Sequence, residues 1–245
     1  MTRFLIIVAV CGVVCGPFVE GMAKEASKTS PAKSATTKPA KLPKGFKRLF
    51  DGKTLTGWTG RKTLWTVVDG AICGKTTAQA PLKHNDFLYT LKEYGDFELR
   101  LTYRLVNHNS GVQVRSKVHK DFRVTGYQAD IAERRYTGIL YGEGFGGILA
   151  NVDPKKVSKS IKKGTWNEYR IVCQGKRLQF WINGQPTIDY TDKRPVARAK
   201  GVIAFQLHAG PPMTVYFKDI IIKELPAEGA KPPAKPKTHT IKIRT

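Results

Sequence analysis

Apolar and polar residues alternate over several stretches of this chain, and the longest of these is Phe97–Leu105, FELRLTYRL. Shorter stretches alternate within 112–115, 127–131 and 203–208, where every second residue is apolar. Because successive side chains of a β-strand point to opposite faces, a period of two predicts strands that each bury one face. The pattern along the chain is therefore that of sheets with one face in a core.

Turn residues separate further strand-like runs. The predicted strands are Trp65–Val68, Tyr169–Cys173, Leu178–Ile182 and Thr214–Lys223. The predicted turns are Asp69-Gly70 after the first of these strands, Gln174-Gly175-Lys176 between the second and the third, and Asn183-Gly184 after the third. Only 153–162 has the composition of a short helix. Many short strands with Gly and Asn turns predict an all-β fold, in which two antiparallel sheets pack as a jelly-roll sandwich.

Polar residues on the three shorter stretches occupy the side opposite the apolar ones. They are Gln113, Arg115, Gln128, Asp130, Gln206 and His208. If the three strands share a sheet, one face gathers a guanidinium, a carboxylate and an imidazole among amides, which suits a neutral, hydroxyl-rich ligand. A solvated outer sheet face explains the same pattern, and the alternation alone does not separate the two interpretations.

The two ends of the chain differ in composition from the middle. Residues 1–23 have a basic start, an apolar run and a small-residue cleavage site, which predict a signal peptide. Residues 24–44 and 226–245 are rich in Lys, Ala and Pro and predict a disordered linker and a disordered basic tail. Between them, 45–225 is long enough for one domain.

A cleaved signal peptide predicts export to the periplasm or the extracellular space, without stable membrane insertion afterwards. An uncleaved membrane anchor is the alternative. The formal net charge of +23 favours contact with anionic polymers such as acidic polysaccharide or an anionic envelope. Export and the absence of nucleic-acid-binding motifs argue against nucleic acid as a partner. A diffuse, solubilising charge explains the same composition.

The sequence context of the candidate cofactor and metal motifs argues against both kinds of site. Gly142–Gly147 satisfies G-x-G-x-x-G, but Pro154 soon follows and blocks the long helix that a dinucleotide site needs. Scattered histidines form no local metal cage, so no cofactor or metal is predicted, while a metal site assembled from distant strands stays open. Cys73 and Cys173 are compatible with a disulfide or with two buried thiols.

An ordered series of short motifs resembles the 3-keto-disaccharide hydrolase family. The series comprises FDGKTLTGW at 50–58, WTVVDG at 65–70, DFEL at 96–99, NSGVQVR at 109–115, GYQADI at 126–131, TGILY at 137–141, WNEYRI at 166–171, NG at 183–184, QLH at 206–208 and FKDIIIK at 217–223. The resemblance covers 45–225 and implies a concanavalin A-like jelly roll with a carbohydrate site on its concave sheet. One departure is the loop after His208, where Ala209–Pro212 stands in place of an expected glycine pair.

The resemblance implies cleavage of the glycosidic bond of a 3-keto-disaccharide or 3-keto-glycoside, either by hydrolysis or by elimination. A ketone at C3 acidifies the proton on C2, so such an enzyme needs a base, an acid and a group that stabilises the enolate oxygen. Candidates for the base are His208 and Asp130, Glu143 is the candidate acid, and Arg115 is the candidate for the oxygen.

The remaining candidates would bind the sugar. They are Asn109, Gln113, Gln128 and Gln206, with Tyr141 or Trp181 as stacking platforms. The same residues would also serve a lectin-like module without turnover, since a fold does not decide a function. Adhesion to an anionic polymer of the cell envelope through the basic surface is a third hypothesis.

Overall fold

The computed structural model describes residues 41–133 and 135–227, and within them two antiparallel sheets pack as a jelly-roll-like sandwich. The predicted all-β fold is therefore confirmed. The predicted signal peptide 1–23, most of the linker 24–44 and nearly all of the tail 226–245 lie outside the described residues. Within the described parts of the chain, no helix has the length and apolar character to cross a membrane.

One sheet contains eight strands, all paired antiparallel. They are β1 (Lys47–Arg48), β3 (Trp65–Val68), β4 (Ala71–Lys75), β6 (Phe97–Leu105), β11 (Asn167–Gln174), β12 (Arg177–Ile182), β13 (Gln185–Thr191) and β15 (Thr214–Glu224). The order is β13-β12-β11-β6-β15-β4-β3, and β1 pairs with β15. The hairpin turns Asp69-Gly70 and Asn183-Gly184 have positive φ at both residues, as tight hairpin turns require.

The second sheet contains seven strands, also antiparallel. They are β2 (Trp58–Thr59), β5 (Asp86–Thr90), β7 (Asn109–Val118), β8 (Val124–Ala132), β9 (Leu140–Glu143), β10 (Gly147–Ala150) and β14 (Val202–Leu207), in the order β10-β9-β8-β7-β14-β5-β2. Two short helical elements join strands: a 3₁₀ turn at Lys120–Phe122 and the helix α1 at Pro154–Ser158. The side chain of Asp153 caps α1 by accepting from the Lys155 amide.

Aromatic rings join the inner faces of the two sheets. Phe205 of β14 stacks on Phe217 of β15 with ring centroids 3.9 Å apart, and on Trp58 of β2 at 4.9 Å. Phe205 and Phe217 have no exposed surface, and burying each phenyl ring contributes about 1.5–3 kcal/mol. Cys173 of β11 and Cys73 of β4 are both buried as free thiols, so the disulfide that the sequence left open is absent.

A bulge interrupts β7 at Arg115. Val114 pairs with Tyr127 and Lys117 pairs with Thr125, so β7 has one residue more than β8 across this interval. Arg115 takes the extra position with φ of +49°, and the alternation of side chains shifts there. The Arg115 side chain consequently points to the interior and not to the outer face that the sequence pattern predicted.

The Arg115 guanidinium has no exposed surface and is bonded on all sides. Nη2 pairs with the Asp96 carboxylate at 2.7 Å, Nε donates to the Gly95 carbonyl at 2.8 Å, and Nη1 donates to the Gly175 carbonyl at 2.6 Å. Gly95 and Asp96 directly precede β6, and Gly175 lies in the turn between β11 and β12. Arg115 therefore ties the two sheets together, and its predicted role at the enolate oxygen is wrong.

Replacing Arg115 tests this structural role. Arg115→Leu removes the Arg115 donors from the Asp96 carboxylate and from three backbone carbonyls, so the free energy of unfolding should fall by about 3–5 kcal/mol. Urea denaturation measures the loss. The control is Arg177→Leu, which breaks an exposed ion pair with Asp189 on the outer sheet and should leave stability nearly unchanged. Equal stability of both variants would contradict the structural role.

Candidate functional site

The strands β8, β7 and β14 are neighbours in the seven-stranded sheet, so the prediction that the three share a sheet is confirmed. On the outer face of these strands lies a cavity of about 300 Å³. It is lined by Asn85, Asn109, Gln128, Asp130, Tyr136, Ile139, Tyr141, Glu143, Ile148, Gln206 and His208. Seven of the ten residues predicted from the sequence line this one cavity.

A row of amide side chains runs across the three strands beneath the cavity. Ser116 Oγ donates to Gln113 Oε1 at 2.6 Å, and Gln113 Nε2 donates to Gln128 Oε1 at 2.8 Å. Gln128 Nε2 donates to Gln206 Oε1 at 3.3 Å, and Gln206 Nε2 donates to Glu143 Oε2 at 3.3 Å. All donors point the same way, so this amide row ends by donating to the Glu143 carboxylate.

Gly111 of β7 makes room for the amide row. A Cβ atom at Gly111 would lie 2.5 Å from Cγ and Cδ of Gln128, because the Gln128 side chain extends over this residue toward Gln206. Gln113 and Gln206 have no exposed surface, and Gln128 is 2% exposed. Buried amides are costly unless they are hydrogen-bonded, so the row fixes three side chains that could otherwise adopt several rotamers.

Glu143 at the end of β9 is held from two sides. Asn85 Nδ2 donates to its Oε1 at 3.1 Å, while Gln206 donates to Oε2. Asn85 is itself fixed by accepting from the Ala209 amide at 2.9 Å. Burial raises the pKa of the Glu143 carboxyl, and the two amide hydrogen bonds oppose that rise. Its position is therefore fixed by neutral donors, and no cationic side chain among the described residues pairs with it.

Asp130 on β8 is the most buried carboxyl of the cavity, at 5% exposed. Burial raises its pKa to about 7, and the nearby Glu143 charge adds to the rise. Asn109 Nδ2 donates to Asp130 Oδ1 at 3.2 Å, and the Ile131 amide donates to the same oxygen at 3.0 Å. Near neutral pH this carboxyl can hold a proton or release one, which is the property of a general acid or base.

His208 directly follows β14 and also lines the cavity. Its Nδ1 lies 2.5 Å from the Ala209 carbonyl oxygen, which can only accept, so Nδ1 carries the proton. Burial and the adjacent His108, whose ring centroid is 4.9 Å away, lower the pKa of His208. The ring is therefore neutral at neutral pH, and its Nε2 lone pair is available as a base.

Three predicted residues lie elsewhere. Gln113 sits below the cavity within the amide row, where it positions Gln128. Arg115 is inside the sandwich. Trp181 lies on β12 of the other sheet, where the Arg170 guanidinium covers its ring at 4.1 Å. Its predicted role as a stacking platform of this site is therefore wrong, because it belongs to the opposite face of the sandwich.

Sequence reasoning missed four residues of the cavity. Asn85 directly precedes β5, and no alternation marks it as part of the polar face. Tyr136, Ile139 and Ile148 form an apolar rim, with Tyr136 and Ile148 partly exposed. Among residues 41–133 and 135–227, no group of three or more His, Cys, Asp or Glu side chains is arranged to hold a metal ion.

Residues 45–223 match the protein family described as the 3-keto-alpha-glucoside-1,2-lyase-like domain. The chain belongs to this family. The match spans nearly the whole predicted domain 45–225 and confirms the resemblance found in the sequence. No curated protein matches the chain.

Solved structures of carbohydrate-related proteins share the fold of this family member. A provisionally named glycosyl hydrolase from Parabacteroides distasonis is 20% identical, with a TM-score of 0.57, over 74% of this chain and 94% of its own. A second one from the same organism is 25% identical, with a TM-score of 0.55, over 74% and 99%. A carbohydrate-binding module from Bacillus subtilis is 15% identical, with a TM-score of 0.53, over 69% and 96%. Family and fold together indicate a carbohydrate-active protein.

Removing the last donor of the amide row should change the titration of Glu143. In Gln206→Leu the Glu143 carboxylate loses a hydrogen bond that favours its charged form, so its pKa should rise above the wild-type value. Carbon-13 NMR titration of side-chain carboxyls measures this, with Glu143→Gln to assign the signal. Gln179→Leu, on the other sheet, is the matched control. An unchanged pKa in Gln206→Leu would show that the hydrogen bond is not formed.

Proposed function

We propose that this protein cleaves the glycosidic bond of 3-keto-α-glucosides by elimination across C1 and C2. One observation carries the proposal: a single cavity holds a neutral imidazole whose Nε2 has no hydrogen-bond partner among the described residues and a carboxyl group whose pKa lies near 7. Elimination needs a base and an acid at the same time at neutral pH, and these two groups can supply them. Membership of a family described as 3-keto-alpha-glucoside-1,2-lyase-like supports this reaction.

In the first step His208 Nε2 takes the proton from C2 of the sugar. The electron pair left on C2 is delocalised onto the C3 oxygen as an enolate. Because Arg115 is not in the cavity, another donor must face that oxygen. Tyr141 lines the cavity, and burial and the nearby carboxyls raise the pKa of its hydroxyl, so it keeps its proton and can donate.

In the second step the electron pair forms the C1–C2 double bond while the C1–O bond breaks. The Asp130 carboxyl gives its proton to the departing oxygen, which leaves as an alcohol. Products are this alcohol and an unsaturated 3-keto sugar, to which water can later add. Glu143, held by Asn85 and Gln206, remains as an acceptor for a sugar hydroxyl.

Direct hydrolysis is the second candidate, because Asp130 and Glu143 form a pair of carboxyls in the same cavity. Glycosidases that act without a ketone use two such carboxyls on either side of the scissile bond. The sequence contains no local motif for this pair, and only the fold brings it together. The two reactions differ in whether the C3 ketone and the C2 hydrogen take part.

The role of C2 can be measured directly. A 3-keto-α-glucosyl disaccharide should be turned over, and deuterium at C2 should slow the reaction because the C2–H bond breaks. The same disaccharide without the ketone should not react. Equal turnover of both sugars without an isotope effect would favour direct hydrolysis. Retention of the sugar without turnover would instead identify a lectin-like module.

Loss of the proposed acid or base should reduce the rate without unfolding the protein. Asp130→Asn and His208→Ala should each lower kcat/KM by about two orders of magnitude or more. In the wild type, kcat/KM should fall as the pH rises above about 7, because Asp130 then loses its proton. This fall should be absent in Asp130→Asn.

The matched control is Asp69→Asn, in the exposed hairpin turn between β3 and β4, which should retain wild-type kinetics. Melting temperatures of all variants should be compared in parallel. A wild-type rate in both Asp130→Asn and His208→Ala would contradict the assignment of acid and base.

A further inference from the structure

A second depression adjoins the catalytic cavity on the same face of the seven-stranded sheet. Its volume is about 490 Å³, and it is lined by His84, Asn85, Phe87, His119, Arg123, Val124, Thr125, Glu143 and Gly144. Asn85 and Glu143 line both spaces, so they form the boundary between them. We refer to this second depression as the basic basin. It is large enough for a further sugar unit.

Arg123 supplies a permanent positive charge to the basic basin. Glu143 is the single carboxylate among the lining residues. The exposed Arg123 side chain makes no hydrogen bond or ion pair with any of the described residues. His119 Nε2 lies 2.9 Å from Thr125 Oγ1, so this imidazole is held at the wall.

A second guanidinium stands directly behind this wall. Arg198 Nη1 donates to the Thr125 carbonyl at 2.6 Å and Nη2 donates to Thr125 Oγ1 at 3.1 Å. No carboxylate among the described residues pairs with Arg198. In contrast, the nearby Arg61 is neutralised by the buried Asp86 carboxylate at 2.7 Å. The wall at Thr125 therefore carries uncompensated positive charge, which attracts an anion.

We propose that the basic basin binds the leaving half of the substrate and that this half carries a carboxylate, as a uronic acid unit does. The inference rests on the proposed elimination, which places the 3-keto ring beside His208 and Asp130. With the leaving half in the basic basin, the substrate crosses the boundary formed by Asn85 and Glu143, which line both spaces. Arg123 has free donors for a carboxylate at the far side, and planar guanidinium groups suit that geometry.

A pair of substrates that differ only in charge tests the proposal. One is a 3-keto-α-glucosyl disaccharide with glucuronate as the leaving sugar, and the other is its glucuronamide, which has nearly the same shape. The charged substrate should have a kcat/KM about tenfold higher, as expected for one hydrogen-bonded ion pair. In Arg123→Gln this ratio should fall to near one, whereas the matched control Arg177→Gln on the other sheet should keep it.

A binding measurement separates this proposal from the proposed reaction. Calorimetry with methyl α-glucuronoside and its primary amide should show preferential binding of the charged sugar, with the preference lost in Arg123→Gln and reduced by salt. If neither disaccharide is turned over but this preference is present, the elimination fails and the anion subsite stands. Equal binding of both sugars, or an equal loss of preference in Arg177→Gln, would overturn the subsite.

Discussion

The buried charge of Arg115 is the constraint on which the polar face and the closure of the sandwich both depend. A guanidinium without exposed surface is tolerated only when its donors are satisfied, and here one carboxylate and three carbonyls satisfy them. These acceptors come from the segment before β6, the turn after β11 and the loop before β14. The inward turn of Arg115 also leaves Ser116 on the outer face, where the amide row begins.

Two glycines allow β7 to bulge at this point. A Cβ atom at Gly201 would lie 2.4 Å from the carbonyl carbon of Arg115, and one at Gly126 would lie 2.4 Å from Ser116 Oγ. Gly126 within β8 and Gly201, which directly precedes β14, therefore provide the space that the extra residue takes. The inward position of Arg115, and with it the link between the sheets, is thus a consequence of one local irregularity.

Much of the fold was predictable because its signals are local. Phe97–Leu105 alternates without interruption, and the structure has a strand with the same bounds. The polar face of Gln128, Asp130 and Gln206 followed from the same period of two. The position of Arg115 could not be predicted, because the alternation in the sequence continues through it and the cause of the bulge lies in glycines distant in sequence. Nor does the pattern on β12 reveal which sheet holds Trp181.

Gly111 contributes to the candidate site because it has no Cβ atom. The Gln128 amide lies across the space that any larger side chain at this position would fill, and through Gln206 it connects to Glu143. Position 111 has no functional group, so it would escape any search for catalytic residue types. The Gln128 side chain occupies the space that a Cβ atom at position 111 would need, so this face should tolerate substitution of Gly111 poorly although Gly111 has no chemical role of its own.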